Sequence, residues 1–199
     1  MPALQEIGIL VIQTLGSLYL LIVMLRFLLQ LARADFYNPI SQFAVKATNP
    51  LLIPLRRIIP GVFGIDVASL ILALALQYLV IQVSALIMGA GVLNPVQVIT
   101  WAVIGLLSLT ANVYFWSLLI MVIASWLAPN SPNPALMLIH QLVEPVMAPF
   151  RKIMPDMGGI DISPIFAFLA LNVVQVIIKH LANAAGMYSS GAHALVLGI

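Results

Sequence analysis

Two pairs of adjacent cations, 95 residues apart, are the side chains of this chain best suited to bind a ligand. They are Arg56-Arg57 and Arg151-Lys152. Cations beside a membrane attract anionic lipid headgroups, and each contributes about 1 kcal/mol near the surface. Two interpretations stay open: each pair anchors the chain to headgroups separately, or both pairs converge on one anionic lipid or partner segment.

Two aspartates, Asp66 and Asp161, follow the cation pairs and carry the second candidate chemistry. An aspartate just before a helix caps the first N–H groups and complements the helix dipole. The alternative is an ion pair between the two halves of the chain, with Arg56 bound to Asp161 and Arg151 bound to Asp66.

The cations and aspartates belong to a proline-rich motif that occurs twice. Residues 50–66 read PLLIPLRRIIPGVFGID and residues 145–161 read PVMAPFRKIMPDMGGID, so matched positions share an offset of 95. Asn38-Pro39 and Asn133-Pro134 keep the same offset upstream. The prolines to which the motif assigns a structural role are Pro50, Pro54, Pro60, Pro145, Pro149 and Pro155. We interpret the chain as an internal duplication.

The composition indicates a membrane protein that crosses the bilayer several times. The chain is 63% hydrophobic and 7% charged, with a mean hydropathy of +1.14, whereas a soluble domain carries about 25% charged residues. A net charge of +2 is too small to indicate a nucleic-acid partner. There are 0 cysteines, which excludes disulfides and thiolate metal sites.

The apolar runs predict an all-α fold with four membrane-spanning helices, at about residues 3–32, 67–88, 95–127 and 162–185. Residues 95–127 are long enough for two helices, but the offset maps them onto 1–32, which predicts one helix. The predicted divisions are a first repeat of two spans at 1–94, a second at 95–185 and a flexible C-terminal tail at 186–199. The two repeats share one orientation, as parallel repeats about an axis normal to the membrane.

Each repeat is expected to contain an interfacial hairpin between its two spans. Asn38 is a predicted N-cap with Pro39 at the first helical position, which starts a short amphipathic helix. We expect this helix to stop at Asn49, because the following prolines remove backbone donors and break regular helix. Arg26, near the end of the first span, is expected to extend its side chain to the interface.

The distribution of basic residues predicts the topology. Six of the eight Lys and Arg residues lie in the two hairpins, so the positive-inside rule predicts cytoplasmic hairpins. Both termini would then face outward. Lys179, near the outer end of the last span, is the exception.

With Asn-Pro, P-x-x-x-P-x-R-[RK]-I-x-P and G-I-D each present twice, the chain resembles the bacterial YggT family, also called YlmG. The resemblance covers essentially the whole chain and implies an integral protein of the bacterial cytoplasmic (inner) membrane. It also implies links to osmotic tolerance and potassium uptake in some bacteria. In other bacteria and in plastids it implies roles in division-linked processes and cytochrome b6f assembly. It supplies no catalytic residues.

No arrangement of residues predicts an enzyme, a cofactor or a metal site. The three histidines are isolated, and there is no P-loop or Ser-His-Asp order. The polar residues inside the predicted spans are expected to bond neighbouring helices, and they are Gln77, Gln82, Asn112, Asn172 and Gln175.

Two functions therefore remain as predictions. The first is a non-enzymatic scaffold, assembly or osmotic-stress factor that presents basic hairpins to anionic lipids and to other membrane proteins. The alternative is a component of potassium or osmolyte transport, which would depend on Gln77, Asn112 and Asn172. The sequence does not predict an oligomeric state.

Overall fold

The chain folds into six α-helices and a short 3-10 helix in the computed structural model, which describes residues 3–62, 64–129, 131–153 and 161–199. The helices are α1 (Ala3–Leu31), α2 (Pro39–Ile58), α3 (Val67–Ile87), α4 (Pro95–Leu127), α5 (Pro134–Ile153) and α6 (Ser163–Ala184). Four of them, α1, α3, α4 and α6, are long and apolar enough to cross a membrane. The predicted all-α fold with four spans is confirmed.

Helix α4 is one uninterrupted helix of 33 residues. At 1.5 Å per residue it extends about 50 Å, well beyond the roughly 30 Å of hydrocarbon in a bilayer. The prediction of one helix rather than two is therefore correct.

The duplication is visible in the helix boundaries. Both ends of α5 lie 95 residues after those of α2 (134 − 39 and 153 − 58). The Asn-Pro starts also work alike: the side chains of Asn38 and Asn133 each accept a 2.9 Å hydrogen bond from the N–H two residues on. Asn94 does the same at 3.0 Å where α4 begins. The predicted N-cap chemistry is confirmed.

The prediction that proline ends the amphipathic helix at Asn49 is wrong. Helix α2 continues through Pro50 and Pro54 to Ile58, and α5 continues likewise through Pro145 and Pro149 to Ile153. The prolines of each helix are four residues apart and exposed, so they share its outer face. The carbonyls that lose their donors, those of Lys46 and Pro50, belong to exposed residues of that face, so the missing bonds do not fall in the buried contact. Pro60 is in the exposed loop after α2, and Pro155 lies outside the described residues.

One face of each amphipathic helix is buried: that of α2 packs against the spans of its own half, and that of α5 packs against its own spans and also against α1. The buried positions of α2 are Ser41, Ala44, Thr48 and Leu52, and those of α5 are Leu138, Leu142, Val143 and Met147. Three of the four buried residues of α2 are small or polar, and one of them, Thr48, accepts a hydrogen bond from Arg26. All four buried residues of α5 are apolar, so this face of α5 is held by apolar contact.

The two halves meet at the start of the amphipathic helices. The Asn38 amide donates a 2.7 Å hydrogen bond to the carbonyl of Pro134, and the N–H of Asp35 donates to the Gln141 side chain at 2.9 Å. Leu28 and Leu29 of α1 pack there in one apolar cluster with Leu138 and Leu142 of α5.

At the opposite end, residues 186–199 turn back into the bundle, and we call them the returning segment. Gly186, at φ +69°, reverses the chain after α6, and Met187 donates a 3.0 Å bond to Ala182. Met187, Val196 and Leu197 are at most 7% exposed. This differs from the flexible tail that the composition predicts, because side chains from three helices hold the segment.

Candidate functional site

The end of α2 is fixed to the start of α3 by a partly buried ion pair. Arg56 donates through Nε to Asp66 at 3.3 Å, and its Nη2 binds the other carboxylate oxygen. Asp66 is 5% exposed and also accepts from the backbone and hydroxyl of Ser69. It is therefore both the N-cap of α3, as predicted, and the counter-ion of Arg56.

These contacts set the charge of Asp66. Burial alone would raise the pKa of its carboxyl, but the hydrogen bonds from Arg56 and Ser69 and the nearby positive charge outweigh burial, so the pKa falls below its usual value. The carboxylate stays ionised at neutral pH.

The second half builds the same pair in a more exposed form. Arg151 donates to Asp161 at 3.3 Å and to Glu144 at 2.7 Å, and the two carboxylates are 49% and 55% exposed. The Ser163 hydroxyl lowers the pKa of Asp161 most, partial burial opposes it, and the Ser163 N–H and Arg151 lower it further. Both carboxylates bound to Arg151 are therefore exposed to water, whereas the carboxylate of Asp66 in the first pair is buried.

The hypothesis of ion pairs between the halves is wrong. Arg56 binds Asp66 and Arg151 binds Asp161, each within its own repeat. The reason is local: each arginine is in the last turn of an amphipathic helix, and its aspartate lies 10 residues further on, just before the next span.

The four cations are exposed, each pair at the end of its own amphipathic helix. Arg57 and Lys152 are exposed and form no ion pair among residues 3–62, 64–129, 131–153 and 161–199. Asn38, where α2 meets the second half, is 18 residues before Arg56, or about 27 Å along a helix. The same spacing separates Asn133 from Arg151. Each cation pair is therefore far along its own helix from the contact between the halves.

A cavity opens beside the first ion pair. It measures about 350 Å³ and is lined by Gln30, Arg56 and Asp66 together with the loop of Gly61 and Gly64. Gly64 has φ +81°, a conformation that favours glycine, and it turns the chain back toward Asp66. The equivalent loop of the second half includes residues 154–160, which lie outside the described part of the chain.

The side chain of Arg26 is buried against α2 rather than extended to headgroups, which the sequence did not predict. Its side chain is 4% exposed and donates to the carbonyl of Val45 at 3.2 Å, to the Thr48 hydroxyl and to the Asn49 side chain at 2.9 Å. Arg26 therefore ties α1 to the middle of α2. A signal existed in the sequence: the equivalent second-half residues of Arg26 and Thr48 are Met121 and Val143, so the polar pair is replaced by an apolar one.

The polar residues of the spans have structural partners. Gln77 donates to Leu197 at 3.1 Å, Asn112 donates to Gly198 at 3.0 Å, and Gln175 donates to Asn112 at 3.1 Å. Asn172 is exposed and its amide bonds its own helix at Phe168. Only the Gln175 bond joins two spanning helices; Gln77 and Asn112 hold the returning segment instead.

No group of three or more metal-ligating side chains occurs in the described part of the chain. The exposed cations at the ends of α2 and α5 are suited to binding an anionic partner by charge.

The CCB3/YggT family model matches the chain twice, at residues 5–87 and 100–182. The chain belongs to the CCB3/YggT family. Both bounds of the second match lie 95 residues after those of the first (100 − 5 and 182 − 87), the offset at which the motif and the amphipathic helices repeat.

Relatives of this CCB3/YggT protein occur in bacteria and plants. It is 53% identical over 189 residues to an uncharacterized protein of Pseudomonas aeruginosa, and the match covers 94% of this chain and 96% of the Pseudomonas protein. It is 38% identical over 182 residues to the uncharacterized protein YggT of Escherichia coli, with 88% and 90% covered. It is also 36% identical over 61 residues to YlmG homolog protein 2, chloroplastic, of Arabidopsis thaliana, with 31% and 24% covered. No solved structure matches.

Proposed function

We propose that this protein is a non-enzymatic membrane scaffold whose two amphipathic helices present basic ends to anionic lipid headgroups and to other membrane proteins. It would reside in the bacterial inner membrane with α2 and α5 on the cytoplasmic side, where basic residues concentrate. A contribution to osmotic-stress tolerance or to assembly of partner proteins belongs to the same proposal.

The observation that carries the proposal is the rigid attachment of each basic helix end. Arg56 and Arg151 are each bound to an aspartate at the start of the next span, which leaves Arg57 and Lys152 exposed beside them. A fixed helix presents a charge at a constant place, so little conformational entropy is lost when a headgroup or partner binds.

The same contacts favour a scaffold over the transport alternative. The amide nitrogens of Gln77 and Asn112, residues that transport would require, donate to carbonyls of the returning segment. A cation would bind their amide oxygens, but that of Asn112 already accepts from Gln175, and Gln77 is 0% exposed. Asn172 is exposed and bonded to its own helix.

The test compares thermal unfolding of the protein in nanodiscs of phosphatidylcholine alone with nanodiscs that also contain phosphatidylglycerol. Anionic lipid should raise the Tm of the wild type. The Arg57→Gln/Lys152→Gln double variant should lose most of that rise, whereas the charge-conserving control Arg57→Lys/Lys152→Arg should keep it. An equal rise in all three proteins would contradict the proposal.

Two further measurements address the cell and the alternative. In cells that lack the gene, the wild type should restore growth at high osmolarity better than the double glutamine variant. Potassium flux into proteoliposomes should equal that of empty liposomes. Flux that rises with protein and falls with Asn112→Leu would instead favour transport.

A further inference from the structure

The two halves differ most in how closely their spanning helices pack, and the difference leaves a cavity in the second half. In the first half, Gly8 and Gly16 of α1 face α3: a Cβ on Gly16 would lie 2.7 Å from Val80, and one on Gly8 would lie 3.8 Å from Ile87. Val103 and Ala111 occupy the equivalent positions of α4. Side chains at these positions do not permit the close helix approach that glycine permits.

A cavity of about 230 Å³ lies along this looser contact. Its polar side chains are Ser108 and Asn112 of α4, Gln175 and Lys179 of α6, and Tyr188 of the returning segment, and Ile199 is among its apolar lining residues. Asn112 is near the middle of α4, and Lys179 is five residues (184 − 179) before the end of α6, about 8 Å along the helix. The cavity therefore extends from the middle of the bundle toward the end where the returning segment lies.

The duplication provides an internal comparison for this cavity. Asn112, Gln175 and Lys179 correspond, at the offset of 95, to Ser17, Val80 and Ser84 in the first half. All three second-half residues are larger and more polar than their counterparts, and all three line the same cavity. Packing alone would not require three polar replacements to converge on one space in an apolar bundle.

The chemistry of the lining is that of an anion site. Lys179 and Tyr188 are exposed, and Lys179 forms no ion pair in the part of the chain that the structure describes. Gln175 uses its amide nitrogen on Asn112. The lysine ammonium, the phenol and the second amide N–H of Gln175 are donors that an oxyanion accepts from.

We propose that this cavity binds a phosphate-type oxyanion, with Lys179 as its counter-charge and Gln175 and Tyr188 as hydrogen-bond donors. The oxyanion is either the headgroup phosphate of a lipid in the leaflet nearest the returning segment or free phosphate from the adjoining solution. Basic pockets between spanning helices bind lipid headgroups by the same chemistry. The site is independent of the basic ends of α2 and α5, which lie at the other end of the bundle.

The test measures thermal unfolding of the purified protein with inorganic phosphate in detergent, against chloride at equal ionic strength, and in nanodiscs with and without phosphatidylglycerol. Lys179→Ser, which restores the first-half residue, should weaken binding at least about tenfold, because a charge-assisted hydrogen bond is worth about 1.5–3 kcal/mol. Lys179→Arg keeps the charge and should keep the effect. All of these variants are made in the Arg57→Gln/Lys152→Gln protein, which lacks the lipid response expected from the basic ends of α2 and α5.

The two arms identify the source of the oxyanion. Stabilisation by phosphate in detergent indicates a free anion, and stabilisation only by phosphatidylglycerol indicates a headgroup. No stabilisation in either arm, or the same stabilisation in Lys179→Ser, would overturn the proposal.

A separate measurement tests whether Lys179 merely holds the returning segment in place. The chain has 0 cysteines, so Leu197→Cys, buried in the returning segment, reports release of that segment by its reaction with a water-soluble maleimide. Ser189→Cys, exposed in the same segment, is the reactive control. We expect Lys179→Ser to leave the cysteine at 197 protected. Faster labelling of that cysteine would assign Lys179 to holding the segment and overturn the anion site.

Discussion

Arg26 of α1 donates a 2.9 Å hydrogen bond to the side chain of Asn49 on α2, from a position that is 4% exposed. Its other contacts, Val45 and Thr48, are also uncharged. An arginine in a spanning helix is costly unless protein groups surround it. Here it orients an amphipathic helix, α2, whose counterpart α5 has the apolar residues Met121 and Val143 at the equivalent contact.

Arg26→Met should destabilise the protein, since it leaves the acceptors on α2 without a donor. A buried polar group without a partner costs about 1–3 kcal/mol. The double variant Arg26→Met/Thr48→Val copies the second half, where Met121 and Val143 lie in one apolar cluster, and should recover part of the loss. Thermal unfolding in detergent measures both. A double variant less stable than Arg26→Met would contradict this account.

The two aspartates should differ in their contribution to stability. Asp66→Asn removes a carboxylate that is 5% exposed and accepts from Arg56 and Ser69, and the loss of a hydrogen bond to a charged group costs about 1.5–3 kcal/mol. Asp161 is 49% exposed, and an exposed pair contributes about 0.2–1 kcal/mol. Chemical unfolding in mixed micelles of both variants gives the comparison. Equal losses would mean that burial does not separate the pairs.

Acid should destabilise the wild type through the same groups. The pKa of Asp66 and of Asp161 is lowered in the folded protein, so their stabilisation is complete above the unfolded value of about 3.9 and is lost as pH falls through the folded value. Tm should therefore be steady from neutral pH to about pH 5 and fall below about pH 4. The fall in Tm at low pH should be reduced more by Asp66→Asn than by Asp161→Asn.

The parts of this fold that the sequence predicts are those set by local patterns. Long apolar runs predict the spans, and Asn-Pro predicts the helix starts at Asn38, Asn94 and Asn133. The offset of 95 predicts that α4 is one helix. Each signal lies within a few residues of the structure it determines, or is repeated in the second half.

The parts that it misses depend on contacts distant in sequence. The partners of Arg26 lie 19 to 23 residues away (45 − 26 and 49 − 26) in another helix. The returning segment looks flexible because it is rich in small residues. It is held by Gln13 on the carbonyl of Ala194 and Gln77 on that of Leu197, 181 and 120 residues away. Neither the hydropathy nor the spacing of residues indicates which residues so distant in sequence will contact each other.

The continuity of α2 and α5 depends on which face of the helix carries the prolines, and not only on how many prolines there are. A proline weakens a helix through the carbonyl four residues before it. With Pro50 and Pro54 on one exposed face, the affected carbonyls face outward, and the buried face keeps its bonds. The spacing of the prolines, rather than their number, decides the outcome.

Pro50→Ala/Pro54→Ala should therefore leave the fold intact and raise stability, because alanine restores two backbone donors and is about 3 kcal/mol more favourable than proline in a helix interior. Circular dichroism and thermal unfolding measure helix content and Tm. The matched variant Pro145→Ala/Pro149→Ala should behave alike. A fall in Tm in either variant would show that the prolines set a bend that the packing requires.

Gly105 makes room for the returning segment. A Cβ at this position would lie 2.4 Å from both the Gln77 amide and Val196, and 3.1 Å from the carbonyl of Leu197. Gly105→Ala should therefore push the segment out of its place, even though alanine is about 1 kcal/mol better than glycine in a helix. The expected result is a lower Tm and faster maleimide labelling of Leu197→Cys.

Gly8→Ala is the matched control for Gly105→Ala. Gly8 is also inside a spanning helix, but its Cβ would meet only Ile87, at 3.8 Å, which is ordinary contact. Here the gain in helix propensity should appear without a clash, so Tm should stay equal or rise and labelling of the cysteine at 197 should not change. If Gly105→Ala stabilises the protein as Gly8→Ala does, the returning segment does not depend on the close approach at Gly105.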